Sequence, residues 1–475
     1  MTRFRPVRLW PAILALGVVL AGGCTVKDSA APPSRVVLPA RFAEAPVTGG
    51  MHADLGRWWT QWHDPVLDRL VDDALAANPD LAVARDHVRQ ARAYVAVARS
   101  ALYPTVGATG DIAGGGLGWS NPAVPTALAP NLGDPATDGH LAGLAAAWEP
   151  DIFGGRAADL RAARAVAQSV EEQLHGTRML VAADVVENYV ASVDDLRRVA
   201  LIDRAAAVLD RMEAYAGARM AAGQATRADI DAIRARRRTV LAARPLLVAD
   251  VDTRRRRMAV LSGRLPEQAP AIPQPALFVI PPVPAGIVPV GVMERRPDIR
   301  ARRDLVQAAL ERLRSARTDL LPRFGLEFFG GNGRLRFDGL PGLSGSGGLM
   351  ALTTYLPIFT AGRIHAQIDV ADARLDEAVT LYEQALLTAL SEVESAYESR
   401  AALDVQGQGL AAALAVALRA AEDRLGLFDG GRSTLLDALQ ARLDAVAIED
   451  AGVRSEDGRA MATIRLAVSL GGGTL

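Results

Sequence analysis

The chain has 475 residues, half of them hydrophobic and 23% charged, with 53 Lys+Arg against 54 Asp+Glu, a balance that excludes a general basic surface for nucleic acid and an acidic disordered tail. Aromatic residues make up only 5%, so a large core must be built from Ala, Leu and Val, which suits long, closely packed helices better than a β-sandwich. The single cysteine excludes an internal disulfide framework and a Cys-based zinc site.

The chain opens on an address. Arg3, Arg5 and Arg8 precede the apolar run Trp10–Leu20, and Ala21, Gly22 and Gly23 lead to Cys24. A basic start, a short apolar stretch and small residues make 1–23 a secretory signal. Cys24 stands where a bacterial lipoprotein signal places its acylated residue, which leaves 24–64 as a lipidated N-terminal segment. Ala21 holds the position usually given to Leu; the alternative is an ordinary signal in which Cys24 is incidental. No later uninterrupted apolar run reaches about 18 residues, so no further transmembrane helix is expected.

The chain then repeats itself. Pro79–Pro104 and Pro297–Pro322 align without a gap at an offset of 218, with ten of 26 pairs identical. Pro150/Pro357, Gly155/Gly362 and Arg156/Arg363 follow at an offset of 207, and Val185/Val393, Tyr189/Tyr397, Gly223/Gly431 and Asp229/Asp437 at 208. This is a tandem duplication, repeat 1 over 65–263 and repeat 2 over 297–475, joined by a Pro-rich linker over 264–296.

Both repeats share one plan. A helix opens at Pro79-Asp80 or Pro297-Asp298, where the acid can cap it or sit in its first turn, and stops near Pro104 or Pro322. Two weakly alternating β segments follow, at about 105–116 and 140–153 in repeat 1 and about 323–335 and 347–359 in repeat 2, around Gly/Pro/Asn-rich loops. Such weak alternation suits barrel strands, with one face to lipid and the other to water. Long Ala/Leu/Glu/Arg helices resume after Arg156 and Arg363, with breaks at Gly223 and Gly431. Four strands cannot close a membrane barrel, and an open edge in lipid leaves unsatisfied amides, so if these strands enter a bilayer, copies must share one barrel. Three copies would supply twelve strands.

Other features carry less. His52, His63, His87, His140, His175 and His365 are scattered without an H-E-x-x-H pattern, so no metal or cofactor site is expected. Arg236–Arg238 and Arg254–Arg257 read as solvated or partner-facing helix surface rather than nucleic-acid patches. Trp58, Trp59 and Trp62 lie before the first helix and fit either an aromatic belt or packing against the exterior of the helical tube.

Several ordered motifs resemble a known family. They are Trp58-Trp59 and Trp62 before Asp64-Pro65, Asn78-Pro79-Asp80-Leu81, Trp148-Glu149-Pro150-Asp151-Ile152-Phe153-Gly154, Arg295-Arg296-Pro297-Asp298-Ile299, Leu356-Pro357-Ile358-Phe359 with Gly362-Arg363, and Leu470-Gly471-Gly472-Gly473. Together they resemble the TolC-like outer-membrane factors, in particular their lipoprotein NodT-type branch. The resemblance implies a mixed α and β membrane protein: a homotrimer with a twelve-stranded β-barrel, four strands per chain, continued by a long α-helical periplasmic tunnel. It implies a passive channel with no active site, served by a periplasmic adaptor and an inner-membrane transporter of the RND type. The strand–helix junctions would fall at Pro104, Pro322, Pro150, Pro357, Gly155 and Gly362. The periplasmic gate would lie near the helix breaks Gly223 and Gly431. There Asp437 matches an aperture carboxylate and Asp229 an acid that holds coils closed. Phe428 replaces a Tyr, and Arg432 is displaced by one from the usual gate arginine, whose place is taken by Ser433. Gln440 stands where a second aperture acid is expected. Two rival readings are the exit duct of a type I protein secretion system and a non-conducting coiled-coil lipoprotein without barrel strands.

Overall fold

A computed structural model describes residues 34–46, 55–116, 136–273, 279–337 and 343–473. The expected signal, the expected lipidation site Cys24 and most of both inter-strand loops lie outside these residues. The described elements are α1 (Pro65–Ala77), α2 (Pro79–Ser100), β1 (Thr105–Gly116), β2 (Ala136–Trp148), α3 (Gly155–Ala221), α4 (Arg227–Ala242), α5 (Arg244–Leu261), α6 (Pro289–Arg295), α7 (Pro297–Thr318), β3 (Arg323–Phe337), β4 (Leu343–Tyr355), α8 (Arg363–Asp429) and α9 (Leu435–Ser469).

The duplication is written into element lengths. Helices α2 and α7 have 22 residues each, and α3 and α8 have 67 each. At 1.5 Å per residue each of the latter is about 100 Å long. Helices α4 and α5 begin and end 208 positions before α9, from 227 to 435 and from 261 to 469. The copies differ because Pro245 lacks the N–H that would continue α4, so repeat 1 restarts its helix where α9 runs unbroken for 35 residues. Asp80 and Asp298 sit in the first turns of α2 and α7. The linker region contributes α6 and a short turn of 3-10 helix at Pro266–Gln268.

Two strands lie earlier than expected. β2 covers 136–148 rather than 140–153, and β4 covers 343–355 rather than 347–359. The last residues of both expected ranges contain prolines, Pro150 and Pro357, which donate nothing to a ladder. The chain there is already turning into a helix: the Asp151 carboxylate accepts from Arg156 N (3.1 Å) and Ala157 N (2.7 Å), capping α3.

The chain divides into two compact units. One holds the sheet, with described residues from 91–167 and 304–379. The other takes 34–90, 168–303 and 380–475. Within this second unit, Trp58, Trp59 and Trp62 are buried in a core with Leu67, Leu81, Val186, Tyr189 and Ile464. They pack inside the protein and form no belt. A second core joins Phe42, Val292, Ile299, Val393 and Tyr397, and a third joins Leu209 and Met212 with Leu439 and Leu443. Four arginines of the two runs are ion-pair partners, Arg254 with Asp195 (3.4 Å), Arg255 with Asp252 (3.1 Å), Arg257 with Asp184 (2.6 Å) and Arg237 with Asp210 (2.5 Å), while Arg236, Arg238 and Arg256 lie exposed as expected of a solvated face.

Candidate functional site

The strands form one antiparallel sheet in the order β1-β2-β3-β4, so β1 and β4 are free edges within a single chain. Register sorts the side chains, because directly paired residues share a face. One face carries the rows Trp148–Leu326–Leu352, Val106–Ala146–Phe328–Met350 and Ala108–Leu144–Gly330–Gly348. The other carries Thr105–Ala147–Glu327–Ala351, with Arg323 and Tyr355 at its helix end and Asp111–Leu141–Gly333–Gly345 near its loop end. Val106, Ile112, Met350 and Leu352 are each at least two-thirds exposed. Hollows lined by Asp111, Leu141, Phe329 and Leu349, and by Thr105, Gly107, Ala145 and Glu327, lie mainly against the second face, the first of them also touching His140, Arg334 and Ser344 of the other face. Toward its helix end the sheet is therefore concave on the side that carries Arg323 and Glu327 and convex on its apolar side, the arrangement of a wall between water and lipid.

Curvature has a local cause at the seam between repeats. Gly143 and Gly331 face each other in register. A Cβ on Gly143 would lie 2.6 Å from Gly330 O, and one on Gly331 would lie 2.4 Å from Ala142 O. Only glycine lets β2 and β3 approach this closely, and such glycines bend sheets toward closure.

The junctions at the helix ends of the strands use the expected residues. After α2 and α7, short turns lead through Pro104 and Pro322 into β1 and β3, with Tyr103 N donating to Ser100 O and Leu321 N to Thr318 O. Gly155 lies against the end of α7, where a Cβ would meet Thr318 Oγ1 at 2.2 Å. Gly362 has φ +82°.

The helix breaks share a second design. Gly223 and Gly431 have φ of 74° and 70°, left-handed values that glycine adopts without a Cβ penalty. Past them, Gln224 N donates to Arg219 O (2.7 Å) and Arg432 N to Leu427 O (2.8 Å), satisfying end carbonyls of α3 and α8. The next helices start on capping boxes: Thr226 with Asp229, and Thr434 with Asp437. Both predicted gate acids therefore serve their own helix starts. The Thr226 amide and hydroxyl hold the Asp229 carboxyl below its usual range, and the Thr434 hydroxyl and amide do the same for Asp437. Phe428 meets Tyr215 edge-on at 6.4 Å between ring centres. Arg432 makes no ion pair among the described residues. Gln440 accepts from Arg236 (2.8 Å) and donates to Asp444 (2.6 Å), tying α4 to α9. Gly223, Gly431, Asp229 and Asp437 were legible from the repeat. Thr226 and Thr434 were missed, although the T-x-x-D spacing at both breaks was there to be read.

A buried acidic group also escaped the sequence reading. Asp194 in α3 is 2% exposed, and only one of its carboxylate oxygens is bonded, by Arg197 Nη1 at 3.0 Å. Burial pushes its carboxyl up to about 7 against the pull of Arg197, while Asp457 and Glu456 raise it further. A raised carboxyl favours the fold while protonated, so this contribution is lost as pH rises through about 7. Asp194→Asn should therefore raise thermal stability at pH 8, on the order of 2 kcal/mol, with the gain shrinking as pH falls and vanishing only below about pH 4. Thermal unfolding followed by helical circular dichroism checks this; parallel pH profiles for both proteins would contradict it.

Comparisons with known proteins agree on one kind of molecule. A family profile described as "Outer membrane efflux protein" matches residues 70–264 and 288–472. The pyoverdine export outer membrane protein OpmQ of Pseudomonas aeruginosa is 30% identical over 439 residues, covering 89% of this chain and 88% of OpmQ. Nodulation protein T of Rhizobium leguminosarum bv. trifolii is 26% identical over 443 residues, covering 89% of each chain. The solved outer-membrane channel OprN superposes with a TM-score of 0.81 at 25% identity, covering 95% of this chain and all of that one.

Proposed function

The chain belongs to the outer membrane efflux protein family, and from that premise we propose a lipid-anchored homotrimer whose shared barrel and helical conduit pass substrates out of the periplasm. Its function is that of an outer-membrane channel of an efflux system. The observation that carries the finer reading is the sheet: four strands, free at both edges, whose helix-end half is apolar on the convex face and carries Arg323 and Glu327 on the concave one. In lipid each unpaired amide costs several kcal/mol, so β4 of one copy must pair with β1 of the next. Helix α8 supports the same need for neighbours. It carries an 18-residue stretch of mean hydropathy 1.4, none of it buried within the single chain. A second copy covers such a surface. The four strands also weigh against a strandless coiled-coil spacer.

In this reading Cys24 carries the acyl chains, each buried methylene adding about 0.8 kcal/mol of anchoring. A periplasmic adaptor and an inner-membrane transporter of the RND type supply the energy and the seal. The channel itself binds and conducts, and no residue performs chemistry. Gly223 and Gly431 are the turns at the periplasmic end, and three Asp437 carboxylates ring the opening there. Their capping boxes fix the carboxylates in place and keep them ionised.

The test is planar-bilayer recording of reconstituted protein. Wild type should conduct, prefer cations and be blocked by multivalent cations from the periplasmic side, with that preference unchanged down to about pH 5. Asp437→Asn keeps a capping acceptor and removes the charge, so cation preference and block should both fall. Conducting protein with an unaltered variant would remove Asp437 from the gate, and protein that never conducts would remove the channel reading.

A further inference from the structure

The two ends of the convex face differ. At the helix end its apolar rows are bordered by the aromatic rings of Trp148 and Phe324, and the exposed Tyr103, Ile358 and Phe359 lie at the same end. At the loop end the same face turns cationic. Arg334 pairs in register with His140, and Arg336 with Asp138, one row further out. Asn332 and Ser344 lie beside Arg334 on this face. Across the sheet, the concave face at the height of Arg334 carries Asp111, Leu141, Gly333 and Gly345, with no cation. The positive charge of the outer rim is thus sorted to the side that meets lipid.

Height agrees with a headgroup role. Arg334 lies ten residues beyond Phe324 on one strand, roughly 33 Å along it. At a tilt of about 40° that is roughly 25 Å along the membrane normal, the thickness of the apolar band of an outer-membrane barrel. Arg334 therefore stands where hydrocarbon gives way to headgroups. Arg336 is half-neutralised by Asp138 at 3.9 Å, while Arg334 and His140 have no hydrogen bond or ion pair among the described residues. A guanidinium presents a planar fork of donors that matches phosphate oxygens, and here it is left open at the membrane surface.

We propose that Arg334, Arg336 and His140, with Asn332 and Ser344 beside them, form a site on the outer rim for the phosphate of a phosphorylated glycolipid of the outer leaflet. This rests on the barrel reading above, and three copies give three such sites per channel. The lipid fills the space against Phe328, Met350 and Leu144 with its acyl chains and places its phosphate on Arg334. It locks the barrel at a fixed height and covers the outer face of the β2–β3 seam.

The experiment is native mass spectrometry of detergent-purified full-length protein titrated with bis-phosphorylated lipid A, dephosphorylated lipid A and phosphatidylglycerol. Wild-type trimer should hold up to three bis-phosphorylated molecules and bind the dephosphorylated form at least about tenfold more weakly. The double variant Arg334→Gln/Arg336→Gln should lose a similar factor while remaining trimeric, and Asp138→Asn, which releases Arg336, should bind more tightly than wild type. Equal binding by wild type and double variant, or indifference to the phosphates, overturns the site. Phosphatidylglycerol bound as tightly as lipid A overturns the glycolipid assignment. Wild-type protein that runs as a monomer and takes up no lipid removes the barrel reading and this proposal together, whereas a lipid-binding trimer that ignores the substitutions removes only the proposal.

Discussion

Gly331→Val is expected to abolish assembly of the barrel. The residue sits on the concave face at the β2–β3 seam, opposite Gly143. A Cβ there would lie 2.4 Å from Ala142 O and 2.8 Å from Gly143 Cα, both backbone atoms that no rotamer change can move. Overpacking that side chains can absorb costs about 1–3 kcal/mol, and a branched side chain driven into a neighbouring strand exceeds this. The strands must part, and the seam that joins the two repeats opens. Gly331→Ala should weaken the trimer and Gly331→Val should eliminate it, together with conductance. Gly347 provides the control, since it pairs with Gly331 across β3–β4 and a Cβ there meets nothing within 4 Å. Gly347→Ala should assemble normally. Size-exclusion chromatography of detergent extracts reads all three, and a stable Gly331→Val trimer would show that the close approach is not needed.

The second large effect concerns the motif Arg295-Arg296-Pro297-Asp298. Arg296 donates to Asp298 (2.7 Å), to Glu392 (2.7 Å) and to the carbonyl of Ser469 at the end of α9 (3.1 Å). Burial opposes its charge, and the bonds from Asp298 and Glu392 more than restore it. In repeat 1 the equivalent position is Asn78, whose amide donates to Leu261 O at 2.9 Å, and Leu261 is the counterpart of Ser469. Both repeats thus tie the start of one helix to the end of another. The arginine of repeat 2 does so while gathering two carboxylates. Removing one partner of a buried ion pair costs about 3–5 kcal/mol, but Asp298 and Glu392 are half exposed and can be rehydrated. Arg296→Ala should therefore destabilise the helical unit by about 2–3 kcal/mol, seen as a lower midpoint in denaturant unfolding. Arg296→Lys keeps the charge without the fork and should recover less than half. A midpoint within error of wild type for Arg296→Ala would contradict this role.

How far the sequence could be read depended on the physics behind each feature. The duplication was legible because equal helices need equal residue spacing, and Pro79/Pro297 through Pro104/Pro322 preserved it. The helix breaks were legible because left-handed turns favour glycine, at 223 and 431. Strand limits were less so: β2 and β4 are rich in Ala, Gly and Ser, both of their faces are exposed, and their alternation is faint. The prolines after Trp148 and Tyr355 were the better guide to where pairing stops. Long-range partners left no local trace. Nothing around Asp194 announces that Asp457, far along the chain, will raise its carboxyl, and nothing around Trp58 distinguishes a buried ring from a membrane belt. The ion pairs of the arginine runs were illegible for the same reason, since Asp184 and Asp195, the partners of Arg257 and Arg254, lie about 60–70 residues away.

The central claim is that one chain supplies a third of a barrel. Native mass spectrometry of wild-type protein extracted from outer membranes in mild detergent, followed by conductance of the same fraction, tests it most directly. The account predicts a single species of three chains that conducts ions. A folded, stable monomer, or an assembly of any other number of chains, would contradict it.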